Sequence, residues 1–253
     1  MSLTKINPRG QITMMKEQSK AKRLNLIFDI LDKTYRDKKM WQEVDCVLES
    51  SAPGTNTWDD FATPFKNLII GILSQNTNDK NSTKAYLGLI NRFEITPREL
   101  AKAPENEIKE AIKSGGLYNI KAGRIKKFAR AVLAKYNGDL SSVLNLPREE
   151  ARRKLTELPG IGLKTADVCL VYCNNYPIIP IDTNISRVAK RLGLCRPGEG
   201  YEEVQRSFEK AILPEQRIRA HELFIRLGRD YCMGNNPSCQ NCPVNKKCTH
   251  WNV

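Results

Sequence analysis

Apolar residues recur at helical spacing in two long stretches of the chain. The first stretch carries them at positions i, i+3, i+4, i+7 and i+8: Phe65, Leu68, Ile69, Ile72 and Leu73. The second stretch repeats the same stripe: Ile125, Phe128, Ala129, Val132 and Leu133. Side chains at this spacing share one face of an α-helix. Because convincing strand alternation is missing throughout, the pattern predicts an all-α fold.

The other segments divide into predicted helices and breaks. A helix is predicted from about Lys20 to Leu48, followed by a loop over 50–64 that is rich in Ser, Thr, Pro and Gly. Further helices are predicted over residues 105–116, 147–155, 165–173, 184–192, 201–212 and 215–231. Residues 1–19 are polar and lack periodicity, which predicts a flexible N-terminal extension.

Composition and charge narrow the class of protein. A chain of 253 residues can bury a sizeable core, and 40% of its residues are hydrophobic. No apolar run approaches the length of a membrane span, and the N-terminus lacks the apolar core of a secretion signal. We therefore expect an intracellular protein, cytoplasmic or associated with the nucleoid. Its net charge of +13 favours a polyanionic partner such as nucleic acid.

The segment "LPGIGLKTA" (158–166) joins two predicted helices through a tight turn. The turn consists of Leu158, Pro159, Gly160, Ile161 and Gly162. Its glycines permit unusual backbone angles and a close approach, and the helix that follows offers free N–H groups to an anion. The turn therefore predicts a grip on DNA phosphate, although the same pattern also fits a tight interhelical turn without a ligand.

Lys164 follows this turn, and Asp182 stands in "PIDTNISRV" just before another predicted helix. Near a helix N-terminus and an apolar wall the ammonium form is disfavoured, so more free amine is available to attack a sugar C1′. Asp182 fits an N-cap, and a capping carboxylate held in place could also stabilise positive charge on the sugar. The two residues are therefore candidate catalytic groups.

Four cysteines lie close together near the C-terminus: Cys232, Cys239, Cys242 and Cys248. Their spacing, C-x6-C-x2-C-x5-C, allows four thiolates to hold either tetrahedral zinc or a [4Fe–4S] cluster. Structural zinc sites usually show two close cysteine pairs, whereas only one C-x2-C is present. The spacing therefore favours the iron–sulfur cluster over zinc.

Together these motifs resemble the endonuclease III branch of the helix-hairpin-helix DNA glycosylases. The resemblance runs from about Lys20 to Trp251 and also rests on "GLYNIKAGRI" (116–125) and on the eighteen residues from Lys164 to Asp182. It implies a two-lobed fold. One lobe is a six-helix barrel with the hairpin over residues 57–177, and the other is an iron–sulfur domain made of residues 20–56 and 178–253, with DNA held across the cleft.

The resemblance also implies roles for individual residues. Lys164 would be the Schiff-base nucleophile, Asp182 would assist its activation and stabilise the sugar cation, and the hairpin would hold a phosphate. The cluster would shape a DNA-binding loop without a redox step. A polar side chain from "SQNTND" (74–79) would fill the gap left by a flipped base; Asn76 occupies the matching position, with Gln75 beside it, and the choice between them is open.

Three features depart from the family pattern or leave alternatives open. Asn184 stands where bacterial relatives commonly have histidine. The plant 5-methylcytosine glycosylases have a similar "DTN" segment at this point. The loop 233–238 has no Lys or Arg, so Lys246 and Lys247 are predicted to meet phosphate instead. A basic series along one predicted helix fits either a solvated face or contact with the DNA backbone: Lys121, Arg124, Lys126, Lys127 and Arg130.

The leading functional hypothesis is a monomeric, bifunctional DNA glycosylase and AP lyase that removes oxidised pyrimidines. Its partner would be duplex DNA with damaged or abasic sites, and no membrane partner is expected. The nearest alternative is a monofunctional glycosylase for T or U opposite G, whose members generally lack a lysine at position 164. Two other classes fit the cysteines, namely a non-catalytic iron–sulfur DNA-binding protein and a zinc-stabilised structural protein.

Overall fold

The computed structural model describes residues 8–36 and 58–251, and within these ranges it contains helices and no β-strand. The predicted all-α fold is therefore confirmed. The helices in chain order are α1 (Pro8–Thr34), α2 (Trp58–Phe61), α3 (Pro64–Ser74), α4 (Asp79–Ile90), α5 (Pro97–Lys102), α6 (Glu105–Ala111), α7 (Tyr118–Tyr136), α8 (Ser141–Leu144), α9 (Arg148–Thr156), α10 (Leu163–Asn174), α11 (Thr183–Arg191), α12 (Tyr201–Glu209) and α13 (Arg217–Asp230). Short 3₁₀ turns cover Lys113–Gly115, Pro214–Gln216 and Asn245–Lys247. None of the helices described is long and apolar enough to cross a membrane.

Helix α1 differs from the sequence-based prediction at both ends. It begins at Pro8, so residues 8–19, predicted as part of a flexible extension, are helical. Strong helix formers such as Met, Lys, Glu and Gln can extend a helix that packing stabilises further along, without apolar periodicity of their own. The helix ends at Thr34 and is followed by a turn at residues 35–36, where the prediction had continued the helix. The rest of the predicted helix, residues 37–48, lies outside the described residues.

The chain divides into two compact units. Residues 8–36 and 177–251 form the first, which we call the split unit, and residues 58–176 form the second, which we call the central unit. The division falls between Tyr176 and Pro177, one residue before the predicted domain limit at 177. The other predicted limit, at 56, lies outside the described residues. The assignment of a six-helix barrel and an iron–sulfur domain to these segments stays a prediction.

The split unit is held together by one apolar core shared among α1, α11, α12 and α13. From α1 the core takes Leu24, Ile27 and Leu31, spaced for one helical face. Phe208 and Phe224 meet edge to face at its centre, with ring centroids 4.8 Å apart. Such an aromatic pair adds to the stability that the buried apolar area provides. The residues just before α11, Ile179 and Ile181, belong to the same core and anchor the start of that helix.

The central unit is built around the two apolar stripes seen in the sequence. All five residues of the first stripe are buried on α3, and the second stripe lies on α7 with four of its five residues buried. The rings of Phe65 and Phe128 stack with centroids 5.2 Å apart and join the two helices. Gly71 of α3 faces α10, where an added Cβ would stand 2.4 Å from Cγ2 of Thr165. A glycine at this position therefore lets α3 pack directly behind the first turn of α10.

A buried ion pair ties α9 to α10. Arg152 Nε donates to Asp167 Oδ1 at 2.7 Å, and Arg152 Nη2 donates to Asp167 Oδ2 at 2.9 Å. Asp167 is fully buried and the Arg152 side chain is 7% exposed. A two-point contact of this kind fixes the relative orientation of the two helices more firmly than apolar packing alone.

Candidate functional site

The turn between α9 and α10 has the backbone features of an anion-binding hairpin. Gly160 adopts φ +84°, a conformation that favours glycine. Leu158 and Ile161 are buried beneath the turn, and the N–H of Ile161 donates to the carbonyl of Leu158 at 3.1 Å. Gly162 is the exposed N-cap of α10 and provides no side-chain cap for the first turn. The amide groups at the start of α10 are thus suited to an external anion.

Lys164 is the second residue of α10 and is half-buried. The next two residues, Thr165 and Ala166, are buried against the central unit. The lysine therefore stands beside the uncapped start of α10, on a rigid helix whose backbone the Gly71 contact and the Arg152–Asp167 pair hold in place. A nucleophile requires such a fixed backbone position.

A hydrogen-bonded bridge links the hairpin to the end of α3. The side chain of Gln75 donates from Nε2 to the carbonyl of Gly160 at 2.8 Å, and its Oε1 accepts from Arg124 Nη1 at 2.8 Å. Asn76, the next residue, is exposed and has φ 53°, in the left-handed region. Asparagine tolerates this conformation better than most residues. The sequence did not decide which of these two residues fills the gap left by a flipped base. Their surroundings differ, because the Gln75 side chain is hydrogen-bonded to the protein and Asn76 is exposed.

In the split unit, Asp182 is the N-cap of α11, which confirms the capping role predicted from its position. Its Oδ1 accepts from the backbone N–H of Ile185 at 2.7 Å. Its Oδ2 accepts from Nδ2 of Asn184 at 2.7 Å. Both carboxylate oxygens are therefore oriented by the chain, as expected for a group that must hold its charge at a fixed point.

Asn184 also links Asp182, through hydrogen bonds, to the segment that carries the first cysteine. Its Oδ1 accepts from Arg187 Nη2 at 2.8 Å, and Arg187 Nε donates to the carbonyl of Cys232 at 2.8 Å. Helix α13 approaches closely here, since a Cβ on Gly228 would lie 2.7 Å from Cβ of Asn184. A continuous chain of hydrogen bonds thus joins the carboxylate of Asp182 to the first cysteine of the motif.

An open groove of about 550 Å³ in the split unit begins at Asp182 and follows α11. Asp182, Ser186 and Lys190 line it at intervals of four residues, so they share one helix face. Arg187 and Arg191 also line the groove. Glu199 lines the groove as well, so three cations stand against two carboxylates. This small excess of positive charge suits an anionic ligand such as a phosphate backbone.

The four cysteines of the motif line a single cavity in the split unit: Cys232, Cys239, Cys242 and Cys248. Burial raises the pKa of the Cys242 thiol to about 11, and the other three cysteines add to this shift. Arg191 holds the loop between Cys232 and Cys239, because it donates to the carbonyls of Met233 at 2.6 Å and Gly234 at 3.0 Å. Within the described ranges, no three His, Cys, Asp or Glu side chains are arranged to hold a metal ion on their own.

The predicted basic helix face is only partly correct. Lys121 is 1% exposed, so neither a solvated position nor a contact with the DNA backbone applies to it. Its ammonium instead donates to the carbonyls of Leu73 at 2.7 Å and Gly115 at 2.9 Å. Burial lowers its pKa, and Arg124 nearby adds to that effect. Among the other basic residues of the series, Arg124, Lys127 and Arg130 are exposed, and the two lysines predicted to meet phosphate in the split unit, Lys246 and Lys247, are exposed as well.

Two exposed apolar residues near the Gln75 bridge are not predicted from the sequence. Leu117 is 49% exposed and has φ 51°, which is unusual for leucine, and Ile120 is 53% exposed. Leu117 lies just after Gly115 and Gly116, at the N-cap of α7. In the sequence, the exposure of Leu117 is indicated only by its position outside the apolar stripe of α7 and directly after two glycines. Exposed apolar residues in such a position can enter a DNA base stack.

Comparison with known proteins identifies relatives that cover most of the chain. Residues 69–214 match the HhH-GPD superfamily of base excision DNA repair proteins. The chain is 35% identical over 188 residues to endonuclease III of Sulfolobus acidocaldarius, covering 74% of this chain and 82% of that protein. It is 32% identical over 203 residues to endonuclease III of Escherichia coli K12, covering 80% and 92%. The structure of a trapped endonuclease III–DNA covalent intermediate matches with a TM-score of 0.74 and 30% identity, covering 92% of this chain and 97% of that one.

Proposed function

Because the chain belongs to the endonuclease III family of the HhH-GPD superfamily, we propose that it is a bifunctional DNA glycosylase and AP lyase. The family predicted from the hairpin, the lysine–aspartate spacing and the cysteines is thus confirmed. We further propose that its substrates are oxidised pyrimidines in duplex DNA, that it acts as a monomer, and that it works inside the cell, where genomic DNA lies.

In the proposed reaction the damaged nucleotide first leaves the base stack, at a cost of a few kcal/mol. The amine of Lys164 then forms a bond to C1′ while the C1′–N bond to the base breaks, and the base leaves with the electron pair. The new amine then loses a proton, and the C1′–O4′ bond breaks while O4′ takes up a proton. The sugar ring is thereby opened, and a protonated Schiff base joins Lys164 to C1′. The protonated Schiff base acidifies C2′, so a C2′ proton is lost and the C3′–O bond breaks. Hydrolysis of the Schiff base then frees the lysine.

Asp182 is proposed to stabilise the positive charge that develops on the sugar as the base departs. A carboxylate oriented by two hydrogen bonds needs little reorganisation when that charge appears. The hairpin of Leu158, Pro159, Gly160, Ile161 and Gly162 is proposed to bind a phosphate through the first turn of α10, and Lys246 and Lys247 to contact another. The observation that carries this proposal is the position of Lys164 in the first turn of α10. The N-cap of this helix, Gly162, provides no side-chain cap.

The four cysteines are proposed to hold a [4Fe–4S] cluster through Cys232, Cys239, Cys242 and Cys248. The four thiols line one cavity, as ligands of one metal centre must. Their spacing, with only one C-x2-C, favours a polynuclear cluster over a single zinc ion. When bound, the cluster supplies four strong cross-links that fix the loop. We expect purified protein to be brown and to contain about four irons per chain. Zinc in place of iron, or a colourless protein whose iron content does not rise on reconstitution, would contradict this assignment.

Replacing Asn184 with alanine is expected to lower the single-turnover rate of base release about tenfold, with little change in thermal stability. The variant keeps the N-cap bond from Ile185 to Asp182 Oδ1 but removes the hydrogen bond to Oδ2. Asn91→Ala, at an exposed asparagine that follows α4 in the central unit, is the control for loss of an asparagine side chain. An unchanged rate in Asn184→Ala would show that orientation of Oδ2 does not matter for the reaction.

The proposed activity is tested by measuring base release and strand cleavage separately on matched duplexes. Duplexes with thymine glycol, with an abasic site and with U opposite G are each incubated with the protein, with and without later alkali. We expect base release and strand cleavage together on thymine glycol, and cleavage at the abasic site. Release from U·G that needs alkali for cleavage would instead identify a monofunctional mismatch glycosylase. Binding without any product would identify a non-catalytic DNA-binding protein.

A further inference from the structure

We propose that Gln75 is a positioning residue that couples phosphate binding at the hairpin to gap filling by Asn76. The proposal rests on the function proposed above. It assigns different tasks to the two adjacent polar residues, since Asn76 enters the space left by the flipped nucleotide and Gln75 stays within the protein. All the contacts involved lie within the central unit.

The side chain of Gln75 is already committed to protein groups. Its amide nitrogen donates to Gly160 and its amide oxygen accepts from Arg124, both at 2.8 Å, and the side chain is half-buried. Entry into the DNA stack would break both hydrogen bonds and expose the carbonyl of Gly160. Asn76 faces no such cost, because it is exposed and no side-chain hydrogen bond of this residue is found among the described residues.

The backbone just before Gln75 is anchored from below by a buried lysine. Lys121 donates to the carbonyl of Leu73 near the end of α3 and to that of Gly115, in the turn that precedes Leu117. The backbone N–H of Gln75 donates to Ile72 at 3.3 Å. With Leu73 and Gln75 both held, Asn76 is the first residue of this loop that is exposed.

The hydrogen bond from Gln75 to Gly160 connects Gln75 to the turn that is proposed to bind a DNA phosphate. Gly160 lies between Leu158 and the N-cap Gly162, in the turn proposed to bind phosphate, and the Arg124 side chain packs over it at 3.6 Å from the position of an added Cβ. A phosphate bound at this turn fixes the Gly160 peptide. Through Gln75 the same event restrains the backbone from which Asn76 projects. Preorganisation of this kind makes insertion less costly in conformational freedom.

The test uses the full-length protein with two substitutions at position 75. Gln75→Ala removes both contacts. Gln75→Glu keeps an acceptor for Arg124 but removes the donor to Gly160 and sets a carboxylate against its carbonyl. If the link to the hairpin is the essential one, both variants should lower the preference for a tetrahydrofuran abasic-site duplex over undamaged duplex about tenfold. For Gln75→Ala, affinity for undamaged duplex should stay within about twofold, since no phosphate contact is removed. Gln216→Ala, a half-buried glutamine of the split unit, serves as control.

A double-mutant cycle then separates coupling from independent action. Asn76→Ala should lower the abasic-site preference and the fluorescence of 2-aminopurine next to the lesion, and adding Gln75→Ala should lower them little further. The proposal is overturned if the double variant loses abasic-site preference by the product of the two single losses. It is also overturned if Gln75→Glu keeps the wild-type preference, or if Asn76→Ala keeps it while Gln75→Ala loses it. A wild-type protein that does not distinguish abasic from undamaged duplex contradicts the proposed function itself, which is a separate result.

Discussion

Lys164→Met is expected to lower strand cleavage at a preformed abasic site by at least the order of 10³-fold. Methionine keeps the apolar stem at the second position of α10 but has no amine to form the Schiff base. Affinity for the abasic duplex should change by only a few fold, because the hairpin amides and their helix remain. The measurement is the single-turnover cleavage rate under enzyme excess, paired with the dissociation constant for a tetrahydrofuran duplex.

Lys154→Met is the matched control for this variant. It removes a lysine from the other arm of the same hairpin, on α9, where the proposed reaction has no role for an amine. We expect its cleavage rate to remain within a few fold of wild type. If Lys164→Met cleaves within tenfold of wild type, or if the control loses as much, then the amine at position 164 does not perform the chemistry.

The second large effect concerns stability. Asp167→Ala is expected to lower the free energy of unfolding by about 3–5 kcal/mol, because it leaves the buried Arg152 without its two-point partner. Glu149 lies 3.5 Å from Arg152, but its side chain is 75% exposed, so it compensates little for the lost partner. The measurement is urea unfolding followed by circular dichroism, which reports the loss of helix.

A surface ion pair of the same type provides the control for Asp167. Glu157 accepts from Arg153 at 2.8 Å, but both side chains are largely exposed. Glu157→Ala should therefore cost less than about 1 kcal/mol. Replacing both partners of the buried pair, as in Arg152→Met with Asp167→Leu, should recover much of the stability, since no charge is then stranded. Equal losses for Asp167→Ala and Glu157→Ala would show that burial of the pair contributes nothing extra.

The features predicted well from the sequence are those encoded locally. The stripe from Phe65 to Leu73 specifies a helix and its buried face within nine residues, and the structure agrees. The cap formed by Asp182 is also local, because its partner Ile185 lies three residues away. Both predictions depend on spacing along the chain and on the periodicity of a helix.

The features that the sequence did not predict depend on partners far along the chain. Lys121 looked like one of several surface cations, yet its position is decided by the carbonyl of Leu73, forty-eight residues away. Likewise the link from Asn184 through Arg187 to Cys232 joins segments forty-five residues apart. A charged residue in an amphipathic pattern carries no local signal that distant carbonyls will surround it. The same holds for Gln75, which meets Gly160 across eighty-five residues.

The most direct test of the account is borohydride trapping of the protein on a duplex with a single abasic site, followed by peptide mass spectrometry. Reduction of a Schiff base leaves a stable bond between the lysine and the sugar. We predict one covalent adduct per chain, carried by the peptide that contains Lys164 and absent from Lys164→Met. An adduct on another residue, or an equal yield from Lys164→Met, would contradict the assignment of Lys164 as the nucleophile.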